Sequence, residues 1–235
     1  MLSVRAAQTI ERSGERARLA SWRGDNHVAH LSPTVGAPLS VEFVSCCLDR
    51  LRDQGYRSVV TSALSADECA GFIDAGFDIH EKLDLLAHDL RSVPPRPAGV
   101  RRARSRDRRA VLEVDAVSFP PFWRLHEGGL AEALAATPHV RFRVVGGPTM
   151  KVGGYVIAGR GAGAGYLQRL AVHPEARGRG LARLLIADGL TWMRRRGASR
   201  AYVNTQRTNG EALALYESCG FRLLPEGLQV LGRLL

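Results

Sequence analysis

The chain has 235 residues, of which 45% are hydrophobic and 24% charged, so it has the material for a packed core and wholesale disorder is excluded. Its formal net charge of +10 rests on 31 arginines and only two lysines. The excess lies in one part: residues 1–99 carry 11 basic and 13 acidic side chains, whereas residues 100–235 carry 22 and 10. This asymmetry predicts two units with different roles, and the basic unit raises the question of a nucleic-acid partner.

The N-terminal segment shows no signal for export or membrane insertion. Arg5, Glu11 and Arg12 interrupt its apolar residues, and no apolar run approaches the roughly 18 residues of a membrane span. We therefore expect a cytoplasmic protein with no membrane partner. Four cysteines lack the spacing of a metal site, so we expect reduced thiols and no bound metal. They are Cys46, Cys47, Cys69 and Cys219.

A proline-rich segment divides the chain. Residues 91–99 contain three prolines within four positions, which cannot continue a helix or a central strand. The sequence therefore predicts an N-terminal lobe in residues 1–90, a linker in 91–99 and a second domain in 100–235.

A basic run from Arg101 to Arg109 follows the linker and has two interpretations. One is a disordered arm that binds nucleic acid. The other is a strand beginning at Val100 and then a helix that Ser105 caps. The valines at three-residue spacing in 111–117 favour the second interpretation.

The rest of the chain alternates strands and helices, which predicts a mixed α/β layer. Strands are predicted for 139–145, 151–158, 166–172 and 201–205, with a closing strand pair of 221–224 and 229–235. Helices are predicted for 181–196 and 209–218, and a glycine-rich hairpin loop for 159–165.

The most informative stretch joins the third of these strands to the following helix. It reads Arg177-Gly178-Arg179-Gly180-Leu181-Ala182. Amide groups of the loop and the positive end of the helix dipole converge there, and the glycines allow a phosphate to approach the backbone. The loop lacks the lysine and hydroxyl residue of a P-loop and the spacing of a dinucleotide fingerprint. The pattern predicts an anion site of another kind.

A second motif, from Asn209 to Phe221, completes a family resemblance. Together the two motifs resemble the Gcn5-related N-acetyltransferase (GNAT) superfamily, and the resemblance covers roughly residues 100–235. It is carried by Arg177, Gly180 and Ala182 in the first motif and by Asn209, Ala212, Tyr216, Gly220 and Phe221 in the second.

The resemblance implies a mixed, mostly antiparallel central sheet flanked by helices, and acetyl-coenzyme A as cofactor. It implies that the acceptor is a primary amine of a small molecule or a protein. By their match to the family pattern, the coenzyme contacts are Leu170, Ala171, Val172, Arg177, Gly178, Arg179, Gly180, Leu181, Ala182 and Asn209. Tyr216 matches the tyrosine that protonates the departing thiolate, although a packed aromatic residue on a helix explains it too.

The acceptor side is less defined. The family's substrate loop lies between its first two helices, which points to Phe119, Phe122 and Trp123, although a hydrophobic helix junction explains these residues equally well. Related ribosomal-protein N-terminal acetyltransferases carry a glutamate where this chain has Asn204, which argues against a protein N-terminus as acceptor. Asparagine cannot act as a base at neutral pH, but Asn204 can orient a water or an amine and is a further candidate for acceptor binding. No general base is evident, and the remaining candidates by location are His126, Glu127 and His173.

The first hundred residues repeat the second motif in weakened form. Residues 65–77 align with 209–221 at a constant offset, which places Phe72 on Tyr216. Residues 35–40 stand where the arginine–glycine loop stands and retain neither arginine. We interpret residues 1–90 as a degenerate, truncated GNAT-like lobe, and the alternative is an unrelated α/β segment.

These observations predict an acetyl-coenzyme A-dependent N-acetyltransferase in which the amine attacks directly. The alternative is a non-catalytic module of the same fold that senses acyl-coenzyme A or binds RNA or the ribosome. A third interpretation, acetylation of an RNA-borne or ribosomal amine, would use both the acetyltransferase motifs and the positive charge of residues 100–235. The sequence does not choose among acceptors.

Overall fold

The computed structural model describes residues 7–34, 38–95 and 97–235. Its strands are β1 (Gln8–Arg12), β2 (Glu15–Ser21), β3 (Val28–Pro33), β4 (Ser58–Thr61), β5 (Asp78–His88), β6 (Val100–Arg102), β7 (His139–Val145), β8 (Gly154–Gly161), β9 (Ala164–Val172), β10 (Arg200–Gln206), β11 (Arg222–Leu223) and β12 (Leu228–Leu234). Its α-helices are α1 (Val41–Asp53), α2 (Ala66–Asp74), α3 (Arg108–Ser118), α4 (Glu127–Ala135), α5 (Leu181–Arg195) and α6 (Gly210–Ser218). The α/β class with mostly antiparallel strands is as predicted.

The chain forms two compact units whose limits differ from the predicted boundary. The first unit contains residues 1–85, 205–208 and 224–235, and the second contains 86–204 and 209–223. The C-terminal strand belongs to the first unit because β12 pairs antiparallel with β4 and with the first part of β5. The predicted closing strand pair is wrong for the same reason, since β11 pairs with the last part of β5 and not with β12.

The first unit is a sheet in the order β1-β2-β3-β4-β12-β5 with helices α1 and α2. Its strands β3 and β4 are parallel, and all four residues of β4 are paired, from Ser58 opposite Val28 to Thr61 opposite Leu31. Apolar residues of both helices pack on this sheet, including the fully buried Phe43 and Phe72.

The second unit is a sheet in the order β6-β7-β8-β9-β10 with helices on both faces. Helix α5 contacts β8 and β9 on one face, where Leu185, Ile186 and Leu190 are buried. Helices α3 and α4 pack with a separate cluster of buried residues that includes Tyr155 and Ile157 of β8. A buried ion pair joins α5 to β7, since Arg141 donates from Nε to Asp188 at 2.6 Å.

Three local predictions need correction. The hairpin between β8 and β9 is not a loop over 159–165, because its strands continue to Gly161 and restart at Ala164. The two turn residues between them, Ala162 and Gly163, have φ of 49° and 76°, as in the tight turns that match strand twist. Strand β8 begins at Gly154, three residues after the predicted start.

The third correction concerns the basic run after the linker. It is ordered as β6, a 3-10 turn from Ser105 to Asp107 and then α3, so the second interpretation is correct. Ser105 does not cap α3, which begins after Asp107 without a side-chain cap. The Asp107 carboxylate accepts from the Arg104 amide before the turn and from both terminal nitrogens of Arg101, at 2.7 to 2.8 Å.

The predicted linker packs against the second unit. Its described residues, 91–95 and 97–99, contain neither helix nor strand. The Pro94 carbonyl accepts a hydrogen bond of 3.0 Å from Thr191 Oγ1 on α5. None of the described helices is long and apolar enough to cross a membrane.

The internal repeat is present in three dimensions. Helices α2 and α6 each have nine residues and keep the offset of the sequence alignment, and the glycines that follow them, Gly76 and Gly220, have φ of 81° and 89°. Phe72 and Phe77 make an edge-to-face contact at 5.3 Å, as Tyr216 and Phe221 do at 5.7 Å. Part of the loop aligned with the arginine–glycine motif, residues 35–37, lies outside the described residues.

Candidate functional site

Two parallel strands of the second unit diverge along their length. Strands β9 and β10 pair through three residues only, from Ala164 opposite Arg200 to Tyr166 opposite Tyr202. Both strands continue for several residues without further pairing to each other in the described chain, while β9 stays paired with β8 as far as Val172. The edge of β9 at Leu170 to Val172 therefore carries backbone groups available to an extended ligand.

The loop that follows β9 presents an open helix N-terminus. Gly178 and Gly180 both have φ of 73°, a left-handed conformation that favours glycine. The amides of residues 178–180 donate to no backbone carbonyl of the described chain, and no side chain caps α5 at Gly180. Arg177 and Arg179 are exposed beside these amides. Free donors, the helix dipole and two cations thus meet at one place, as an anionic ligand requires.

Helix α6 positions the two predicted site residues of the second motif. Asn209 is its capping residue and accepts from the Ala212 amide at 3.1 Å through Oδ1, which leaves the side-chain NH2 for a ligand. Tyr216 is 7% exposed and packs edge to face on Phe221. Burial raises the pKa of Tyr216 to about 12, and the charge of Arg169 acts in the opposite direction. Tyr216 is therefore both a packed aromatic residue and a phenol that keeps its proton at neutral pH.

The predicted acceptor residues lie together between α3 and α4. We call residues 119–125 the acceptor loop. Phe119 ends α3, and Phe122 and Trp123 form a 3-10 turn in which their rings meet edge to face at 5.1 Å. The start of the loop is held near the end of β9, because Ser118 Oγ donates to the Val172 carbonyl at 3.2 Å.

The other predicted polar residues lie on separate elements. Asn204 is exposed on β10. His126 and Glu127 are exposed at the start of α4, and His173 accepts from the Glu175 amide at 3.3 Å through Nδ1. None of these placements selects a general base. Groups of three or more metal-binding side chains are not found in the part of the chain that the structure describes, and the four cysteines are free thiols.

A buried polar cluster that the sequence motifs do not contain lies behind the acceptor loop. Asp115 of α3 is fully buried and accepts from Arg169 Nε at 2.8 Å and from the Tyr155 hydroxyl. Its other oxygen accepts from the Leu125 amide at 2.7 Å, and the Arg169 guanidinium also donates to the Trp123 carbonyl at 2.6 Å. We call Asp115, Tyr155 and Arg169 the Arg169 cluster.

A signal for this cluster exists in the sequence. Asp115 follows Val111 and Val114 at helical spacing, so it shares their buried face. Arg169 stands within an apolar strand, between Leu167 and Leu170. A buried carboxylate and a buried guanidinium each need a partner of opposite charge, so a pairing of Asp115 with Arg169 is one of the pairings that the sequence allows.

Comparison with a family model supports the motif assignment. Residues 109–221 match the model described as the acetyltransferase (GNAT) family. No curated protein matches the sequence at a significant level.

Solved structures resemble the chain over nearly its whole length. A tandem GNAT protein from the clavulanic acid biosynthesis pathway, solved without acetyl-coenzyme A, is 14% identical, covers 99% of this chain and 84% of its own, and gives a TM-score of 0.65. GCN5-related N-acetyltransferases from Kribbella flavida and Sphaerobacter thermophilus are 15% and 18% identical, with TM-scores of 0.64 and 0.63. They cover 97% and 94% of this chain and 89% and 76% of their own. At these identities the likeness establishes the fold, including that of the N-terminal region.

Proposed function

We propose that this chain, whose residues 109–221 match the model of the acetyltransferase (GNAT) family, transfers an acetyl group from acetyl-coenzyme A to a primary amine. One observation carries the proposal: strands β9 and β10 diverge, and β9 is followed by a short loop and an uncapped helix N-terminus in the same unit. The first feature suits the extended arm of the coenzyme, and the second suits its pyrophosphate.

The residues at this place fit the coenzyme. A side chain added at Gly178 or Gly180 would meet no protein atom within 4 Å, so the backbone there borders open space. Arg177 and Arg179 would face the pyrophosphate, the edge of β9 at 170–172 would face the arm, and the Asn209 side-chain NH2 would add a donor. When bound, acetyl-coenzyme A supplies an acetyl group activated as a thioester.

Tyr216 is the proposed acid. Its phenol keeps the proton across the physiological range because burial raises its pKa to about 12. A thiolate is more basic when it is held away from water, so a nearby phenol is a suitable proton donor for it. Backbone amides of β9 would stabilise negative charge that develops on the acetyl oxygen.

The amine acceptor attacks as the neutral species: the C–N bond forms, the C–S bond breaks with a proton from Tyr216 going to sulfur, and the proton that the nitrogen loses goes to water. Asn204 offers an amide that orients an amine or a water but does not take its proton. The acceptor loop, with Phe119, Phe122 and Trp123, supplies an aromatic wall for the acceptor. We infer a small-molecule or protein amine, and we place the reaction in the cytoplasm.

A second function is a non-catalytic module that senses acyl-coenzyme A or binds RNA. It is favoured by the 22 basic residues in 100–235 and by the amide at Asn204. RNA binding of this kind weakens steeply as the salt concentration is raised. Binding releases cations that were condensed on the phosphates, and this release is less favourable at high salt.

A screen of amines and peptides that follows free coenzyme thiol tests the proposal. We expect release of thiol that depends on one acceptor class. Salt-sensitive RNA binding without coenzyme consumption in the whole panel would instead support the second function.

A further inference from the structure

The structure assigns a positioning role to Arg169: it fixes the acceptor loop on β9 and thereby sets how well the amine acceptor binds. This inference rests on the proposed function. It concerns the acceptor half of the site and leaves the coenzyme half unaffected.

A β-bulge explains how an arginine in an apolar strand reaches the loop. The pairing of β8 with β9 shifts between Ile157, opposite Arg169, and Ala158, opposite Leu167. Gln168 is therefore an extra residue, and the alternation of faces changes at this point. Leu167 packs in the cluster of α5, whereas Arg169 turns to the opposite face and meets Asp115 of α3.

Three separate residues of the acceptor loop depend on the Arg169 cluster. The guanidinium carbon lies 3.5 Å from the centre of the Phe119 ring, and a guanidinium nitrogen donates to the Trp123 carbonyl. The Leu125 amide donates to Asp115, which Arg169 neutralises. The loop is thus attached at its first, fifth and last residues to one buried ion pair.

The ion pair of Arg169 and Asp115 is also suited to hold the loop because both side chains are largely shielded from water. The Arg169 side chain is 10% exposed and Asp115 is fully buried, so water cannot replace the lost contacts at low cost. A planar guanidinium can serve a carboxylate, a carbonyl and a ring at once, whereas an ammonium group cannot.

The matched experiment compares Arg169→Lys with Arg141→Lys. Arg141 is 13% exposed, binds the fully buried Asp188 through two nitrogens and lies in the same unit, but it makes no contact with the acceptor loop among the bonds of the described residues. Both variants keep the charge and lose the fork. Because Asp188 also has Arg143 Nε at 3.6 Å, the loop exchange of each variant is compared with its own loss of stability. Thermal unfolding of each variant shows that it is folded.

Hydrogen exchange of residues 119–126 is the direct readout. We expect Arg169→Lys to speed exchange there by about tenfold or more, with no such change in Arg141→Lys. Acetyl-coenzyme A affinity should stay within about twofold, while the acceptor KM rises about tenfold with little change in kcat.

Equal exchange of the loop in the two variants would overturn the inference, as would a loss of coenzyme affinity as large as the loss of acceptor affinity. If the unmodified protein consumes no coenzyme, the proposed function fails, but loop exchange still decides whether Arg169 holds the loop.

Discussion

From β3 to α2 the first unit has the order strand, helix, strand, helix that the second unit has from β9 to α6, but among the described residues the paired strands diverge in the second unit alone. In the first unit all of β4 is paired with β3, whereas in the second β10 pairs with β9 through three residues and then diverges. If the proposed function is correct, coenzyme binding depends on this local loss of strand pairing and not on the order of helices and strands.

The N-termini of the aligned helices α1 and α5 also differ, since the first is capped and the second is open. Helix α5 begins after Gly180 with no side-chain cap. Helix α1 begins after Ser40, whose hydroxyl accepts from the Phe43 amide at 3.2 Å. The Glu15 carboxylate in turn accepts from the Ser40 amide and hydroxyl, at 2.5 and 2.7 Å. The first unit thus supplies its own anion where the second leaves a place for one.

Replacing the proposed acid would make the second unit resemble the first. Tyr216→Phe introduces the residue that the first unit has at the aligned position 72. It removes the hydroxyl proton and keeps the ring that packs on Phe221. We expect kcat to fall by about a thousandfold with acetyl-coenzyme A affinity unchanged. Because the pKa of Tyr216 is raised to about 12, the unmodified enzyme should show no loss of rate from tyrosine ionisation up to pH 10. Undiminished turnover of the variant would remove Tyr216 from the mechanism.

Placing a carboxylate at the N-terminus of α5 would copy the arrangement at α1. We expect Arg179→Glu to weaken acetyl-coenzyme A binding by about a hundredfold, since it replaces an attractive charge with a repulsive one. Arg195→Glu makes the same charge change at the other end of this helix and is the control. Similar losses in both variants would show that overall charge, and not the helix N-terminus, governs binding.

Removing the internal carboxylate of the first unit should have the smallest effect. Glu15→Gln loses a charged acceptor of two hydrogen bonds near the start of α1, so we expect the free energy of unfolding to fall by about 1 kcal/mol. Urea unfolding measures it. Glu11→Gln breaks an exposed pair with Arg16 on the same hairpin and should cost less. A larger loss at Glu11 would contradict the role given to Glu15.

The sequence predicted those parts of the site that follow from local patterns. The loop at 177–180, helix α6 and the glycine that ends it are short-range features, and their positions agree with the structure to within one residue. Strand β7 was likewise predicted at its observed limits, because its residues alternate over a full strand length.

Long-range pairing was not predicted, for a physical reason. The partner of β12 is β4, far away in the chain, and nothing in the residues of β12 themselves specifies which strand edge it joins. The bulge at Gln168 was missed because it reverses the alternation on which strand prediction relies. The sequence shows an arginine within an apolar strand and an aspartate on the buried face of a helix, but that these two side chains meet behind the acceptor loop was visible only in three dimensions.

The binding stoichiometry of acetyl-coenzyme A, measured by isothermal titration calorimetry on the whole chain, tests the central claim most directly. A single open site predicts one coenzyme per chain, and Arg179→Glu should weaken it. Two equivalents per chain, or one equivalent with an affinity that Arg179→Glu leaves unchanged, would contradict the assignment of the site to the second unit.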